Sequence, residues 1–192
     1  MANTPAPSIR TRFNIAGDGS PGCFRLTQGG TDGQTPPAVH HNVSRRMTVA
    51  TFAIGGAARE RIEVEVFGYE HAPVGEYHDD NWLRVRVTVH AGAFSASYDA
   101  AFLTEELARF RGQLETLYQS LRGQAEFATL EGQLSLRLTA DERGEVLVRG
   151  VAIDVPGTGN RLEFQLTLDQ SHLRATIDEL RQVTDRYPIR AG

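Results

Sequence analysis

Apolar residues recur at every second position in several separate runs of this chain. Ile62, Val64 and Val66 alternate with Glu63 and Glu65, and Leu83, Val85, Val87 and Val89 alternate with Arg84 and Arg86. A period of two sends one set to a buried face and the other to a wetted face, so each run predicts a half-buried strand. Thr48 to Ile54 reads as an earlier strand ending at Gly55-Gly56. Ala91-Gly92 makes a tight connection into a hairpin partner carrying Phe94, Ala96 and Tyr98. If the strands around Val64 and Val87 are antiparallel neighbours, their glutamates and arginines pair across them. Exposed pairs of that kind contribute about 0.2–1 kcal/mol each, which helps register more than stability.

The period then changes. Leu107, Phe110, Leu114, Leu117, Tyr118 and Leu121 fall three and four apart, which predicts an amphipathic helix. Thr104 is placed to cap it, Glu105 and Glu106 suit the positive end of its dipole, and Gly123 suits the residue just past its end. A second cycle follows. Leu134, Leu136 and Leu138 alternate, Asp141 to Gly144 turns the chain, and Val146 and Val148 open a strand that continues through Val151, Ile153 and Val155. The alternation changes phase there, so Gly150 is read as a bulge or kink. Pro156 to Asn160 is a loop, Leu162, Phe164, Leu166 and Leu168 return to period two, and Leu173, Ile177, Leu180 and Val183 line a helix from about Ser171 that Pro188 ends. Ser171 is the residue type of a helix cap. Two strands-then-helix halves with hairpin connections predict an α+β fold: a mostly antiparallel sheet with two amphipathic helices on one face. Residues 47–192 are expected to form it as a single domain.

Residues 1–46 differ. They hold five of the eight prolines (Pro5, Pro7, Pro21, Pro36, Pro37) and Gly17, Gly19, Gly22, Gly29, Gly30 and Gly33. Such a stretch buries little in return for its ordering entropy, so it is expected to be a disordered tail, with Met47 as an alternative start. The net charge of −4 also divides unevenly: +3 over residues 1–46 (five arginines against Asp18 and Asp32), and so −7 over the rest. An acidic body repels phosphate and argues against nonspecific nucleic-acid binding. Cys23 is the single cysteine, which excludes an intramolecular disulfide. No segment approaches the ~18 apolar residues of a membrane span, and the N-terminus lacks the apolar core of a secretory signal, so a cytoplasmic protein with no membrane partner is expected.

Catalytic chemistry has little to stand on. No Gly-x-Ser-x-Gly elbow is present, Cys23 lies in the tail, and neither Gly17-x-Gly19 nor Gly157-x-Gly159 is followed by the lysine of a phosphate-binding loop. Glu63 and Glu65 fall on a solvent face, and Glu105 and Glu106 at a helix start. The loop before Trp82 is richer: His71, His78, Asp79 and Asp80 cluster there with Glu70 and Glu76. Those residue types bind zinc when they converge, and otherwise form a solvated acidic loop or a protein contact. Trp82, the sole tryptophan, is expected in or at the end of the sheet core.

Several runs together resemble one known family. They are Asp80-Asn81-Trp82-Leu83 with Val85 and Val87, Ala91 to Ala96, Leu103 to Leu107 with Phe110, Leu114 and Leu117, Gly132 to Leu136, Gly157 to Phe164, and Asp169-Gln170 with Leu173. Over roughly residues 60–187 the chain resembles the WapI-type family of bacterial toxin immunity proteins. The resemblance implies a small cytosolic bacterial protein that binds and neutralises a cognate toxin domain, with no catalytic residue and no cofactor. The acidic body is compatible with a basic toxin. Glu70, Glu76, Asp79 and Asp80 are the candidate partner-binding residues. A metal-dependent enzyme built around His71, His78 and Asp79, or a ligand-binding domain, is the alternative.

Overall fold

The alternating runs become strands whose apolar faces meet in one core. The computed structural model describes residues 49–56, 60–141 and 143–191, so the expected tail over residues 1–46 and the start at Met47 lie outside the described residues. The order is β1 (Ala50–Gly55), β2 (Glu60–Tyr69), β3 (Trp82–Ala91), β4 (Phe94–Leu103), α1 (Thr104–Ser120), β5 (Gly123–Ala128), β6 (Leu134–Ala140), β7 (Glu145–Ile153), β8 (Arg161–Asp169) and α2 (Ser171–Arg186). Two strands-then-helix halves are present, as the periodicity predicts. Their strands form two antiparallel four-stranded sheets, β1-β2-β3-β4 and β5-β6-β7-β8. The inner faces of both sheets join one apolar cluster with Leu107, Phe110, Leu114 and Leu117 of α1 and Leu173, Ile177, Leu180 and Val183 of α2. Phe102, Phe110 and Phe127 meet edge-on or tilted within it, with ring centroids 5.2–5.3 Å apart.

Each helix packs along the first strand of the other half: α1 against β5 and α2 against β1. Those strands are sheet edges, whose outward N–H and C=O groups need partners. Helix side chains supply them. Glu179 accepts the Ala53 N–H at 2.8 Å, and the Thr176 hydroxyl donates to the Ala53 carbonyl at 2.6 Å. On the other side Gln113 accepts the Glu126 N–H at 2.7 Å.

Five local expectations are corrected. Strand β5 was not anticipated; it offers only Ala125 and Phe127 as an alternating apolar pair, too short a run to register. Thr104 does not cap α1: Leu103 holds the cap position, and the buried Thr104 hydroxyl turns inward to donate to Asn81 Oδ1 at 2.9 Å. At the other end Leu121 is the cap, in the left-handed conformation (φ 53°), and Gly123, expected just past the helix, opens β5. Gln170 holds the cap position of α2 and Ser171 is its first helical residue; Asp169, one residue before the cap, accepts the Ser171 N–H at 2.8 Å.

Gly150 is the fifth. The β7 register runs without interruption past it. The ring of Phe164 lies across it, and a Cβ there would sit 2.1 Å from Phe164 Cζ. The phase change in the sequence therefore has another meaning: Leu147, Val151 and Ile153 face outward, half-buried. Among the described residues the one register irregularity is in β2, between Val66 and Gly68. Before it Arg86 opposes Glu65 in regular register; beyond it the ladder is moved by one residue, so that Arg84 opposes Gly68 in place of Phe67. Arg86 thus stands opposite Glu65, but the ion pairs run elsewhere. Arg86 pairs with Asp99 on β4 at 2.9 Å, and Glu63 with Arg61 on its own strand at 2.8 Å.

Candidate functional site

The loop between β2 and β3 leaves the sheet at Tyr69 and returns at Trp82, with residues 71–79 exposed throughout. Its shape is set from beneath. Asp80, only 1% exposed, accepts the N–H groups of Val74 (2.6 Å) and Gly75 (2.9 Å). Both carboxylate oxygens are thereby occupied in holding the loop, so Asp80 is a scaffold residue and not the surface contact expected of it. Glu70, Glu76 and Asp79 remain on the surface. Adjacent acidic residues are indistinguishable by composition; a single 3-10 turn over Asp79–Asn81 turns one out and the next two in.

Asn81 is the second buried anchor. Its amide donates to the carbonyls of Tyr77 (2.6 Å) and Arg190 (2.9 Å), and its Oδ1 accepts from the Thr104 hydroxyl (2.9 Å) and the Arg190 N–H (2.8 Å). One side chain thus joins the loop, the start of α1 and the segment after α2. Arg190 completes the junction: its guanidinium lies 3.3 Å from the Tyr69 ring centroid and donates to the carbonyls of His71 (3.2 Å) and Asp80 (3.3 Å). Burial raises the Tyr69 phenol pKa, with Arg190 opposing that shift. Tyr69 in turn donates to the Pro188 carbonyl. The outer end of the loop is held by Tyr77, which donates to Glu105 at 3.0 Å; that bond raises the phenol's pKa. Sequence reasoning passed over Asn81, Tyr69 and Arg190. Only the polar Asn81 in front of an apolar strand could have signalled a buried junction.

The other expected residues are dispersed. His78 stands edge-on to Tyr77, with centroids 5.4 Å apart, and His71 is exposed at the far end of the loop. Among the described residues no three His, Cys, Asp or Glu side chains are grouped to hold a metal ion. Trp82 is half-buried at the start of β3, opposite Leu103. No helix among the described residues is long and apolar enough to cross a membrane.

The motif residues beyond the loop also do structural tasks. Gln133, 4% exposed, accepts from Tyr98 (2.7 Å) and Ile153 (2.9 Å) through its carbonyl and from the Ala101 N–H (3.3 Å) through its side chain, tying β4 to the second sheet. Asp154 accepts two bonds from Asn160, which lower its pKa and close the β7–β8 loop.

Two crossed strands-then-helix halves, with acidic side chains displayed on a loop anchored from below, define an α+β protein that presents fixed charge on a built surface. The chain belongs to the immunity protein WapI-like family, whose model matches residues 53–188. That membership supports an immunity-protein role. A comparison with curated proteins found no match.

Proposed function

We propose that this chain is a non-enzymatic immunity protein of the bacterial cytoplasm that binds and neutralises a cognate toxin domain. The family match over residues 53–188 carries this reading. The partner is a protein with a basic surface, and not nucleic acid: residues 47–192 carry −7, which attracts a basic domain and repels a phosphate backbone. Contact is made through Glu70, Glu76 and Asp79 on the β2–β3 loop. That loop is exposed yet fixed by the Asp80 and Asn81 bonds, so little ordering entropy is lost when a partner docks.

Stopped-flow association of the full chain with the toxin domain encoded beside it, at low and moderate salt, tests the contact. Glu76→Arg with Asp79→Arg slows association about tenfold or more at low salt and flattens the salt dependence, because exposed charges act mainly on the encounter rate. Unchanged rates at both salt concentrations would remove the loop from the interface.

A further inference from the structure

Three arginines border one shallow cleft beside the acidic loop. It has a volume of about 480 Å³ and is lined by Tyr69, Glu70, Arg84, Arg186, Tyr187 and Arg190, among others. The β2 irregularity creates the opening. Arg86 is flanked across the ladder by Glu65 and Asp99 and is neutralised by Asp99, whereas Arg84, two residues away, is flanked by Gly68 and Ala101. Neither neighbour offers a counter-charge, and neither fills the space beside the guanidinium.

From the other side, the last turn of α2 brings Arg186, whose guanidinium lies 5.5 Å from the Tyr187 ring centroid and has no ion pair among the described residues. Arg190 is held in place by two backbone carbonyls and the Tyr69 ring, without a carboxylate partner among the described residues. Glu70 is the one acidic side chain in the lining and forms no ion pair with any of the three among the described residues. Guanidinium groups brought to one opening repel one another, a repulsion that water and salt screen and that an arriving anion relieves.

We propose that this cleft is an oxyanion site that receives an acidic side chain of the protein partner. This rests on the reading above that the partner is a protein. Guanidinium forks bind carboxylates in bidentate geometry, and the Tyr69 and Tyr187 rings hold the Arg190 and Arg186 guanidinium groups at the opening. The interface then has two signs. Glu76 and Asp79 meet basic residues of the toxin, while Arg84 and Arg186 meet an acidic one. Such alternation fixes orientation and rejects partners that are merely basic.

The test needs no toxin. The full chain, labelled with nitrogen-15, is titrated with a blocked tetraglutamate peptide and separately with inorganic phosphate, following the arginine Nε–Hε resonances. The peptide is expected to shift those of Arg84, Arg186 and Arg190 saturably, with a dissociation constant at least tenfold below that for phosphate. The Arg84→Gln/Arg186→Gln variant weakens peptide binding at least tenfold. Both side chains are exposed and make no hydrogen bond or ion pair within the described fold, so an unchanged backbone spectrum is expected.

Absence of a saturable shift, or equal peptide affinity in the variant, would overturn the assignment. Tighter binding of phosphate than of peptide would make this a free-anion site and overturn it as well. Any of these failures leaves the toxin reading standing, and a failed toxin titration leaves the peptide result intact.

Discussion

Replacing Asn81 tests whether the loop is held from below. Its side chain makes four hydrogen bonds, two as donor and two as acceptor, and is 1% exposed. In Asn81→Ala the Thr104 hydroxyl, itself 2% exposed, loses its acceptor in a place water does not reach. An unsatisfied buried group costs about 1–3 kcal/mol, and the three partner groups on Tyr77 and Arg190, nearer the surface, lose about 0.5–1 kcal/mol each, giving a total of about 2.5–6 kcal/mol. Asn81→Asp is the sharper probe because it keeps the shape and changes the chemistry. An oxygen then faces the carbonyls of Tyr77 and Arg190 in place of a donor, so Asp is at least as destabilising as Ala at pH 7. Protonation restores one donor; burial against two carbonyls raises the folded-state pKa of the new carboxyl above its ordinary ~3.9, so the Asp deficit shrinks as pH falls through that raised value and levels off at ~4. With a urea slope of about 2 kcal/mol per molar, the unfolding midpoint of Asn81→Ala falls by roughly 1–3 M. Losses under about 0.5 kcal/mol in both variants, or an Asp variant milder than Ala at pH 7, would refute the four-bond account.

Three further predictions follow from single sites. Glu106, 4% exposed, accepts the N–H groups of Leu103 (2.9 Å) and Leu130 (2.6 Å), and Glu106→Gln, able to satisfy one of them, loses about 1–2 kcal/mol. Burial raises the folded-state pKa of Glu106 above its ordinary 4.5. The wild-type advantage over Gln is therefore fullest below that ordinary value and declines as pH rises through the folded pKa; urea curves between pH 4 and 7 showing an advantage that grows with pH would contradict this. Gly150→Ala drives a methyl into the Phe164 ring and costs about 1–3 kcal/mol, part of which Phe164→Leu restores in a double-mutant cycle; strict additivity would place the strain elsewhere. Thr176→Val removes the hydroxyl bonded to the Ala53 carbonyl and costs about 1–2 kcal/mol, with faster amide exchange in β1; unchanged protection would mean that α2 does not seal that edge.

Periodicity carried the fold where it was long. Val85, Val87 and Val89 with their arginines could be nothing but a half-buried strand, and the spacing of Leu107, Phe110, Leu114 and Leu117 required a helix. The division into two sheets was not legible, because pairing partners are decided by which edges the helices cover, and the Glu179 and Gln113 bonds that cover them span 126 and 13 residues. Strand β5 hid behind the short Ala125–Phe127 alternation. The phase change at Gly150 was visible, but it reflects outward Val151 and Ile153 and a seat for Phe164 rather than a bulge.

At the candidate site, the composition of the loop was legible and its division of labour was not. Asp79 and Asp80 are neighbours in sequence, yet one faces solvent and the other is a buried acceptor for two backbone amides. The arginine cleft had no local signature at all. Arg84 lies 102 and 106 residues before Arg186 and Arg190, and only the β2 register shift and the end of α2 bring them to one opening.

Calorimetric titration of the full chain into the toxin domain encoded beside it, with toxin activity assayed on the same samples, tests the central claim most directly. The account predicts saturable one-to-one binding and loss of toxin activity at equivalence. A toxin that neither binds the chain nor loses activity at saturating concentrations would contradict it.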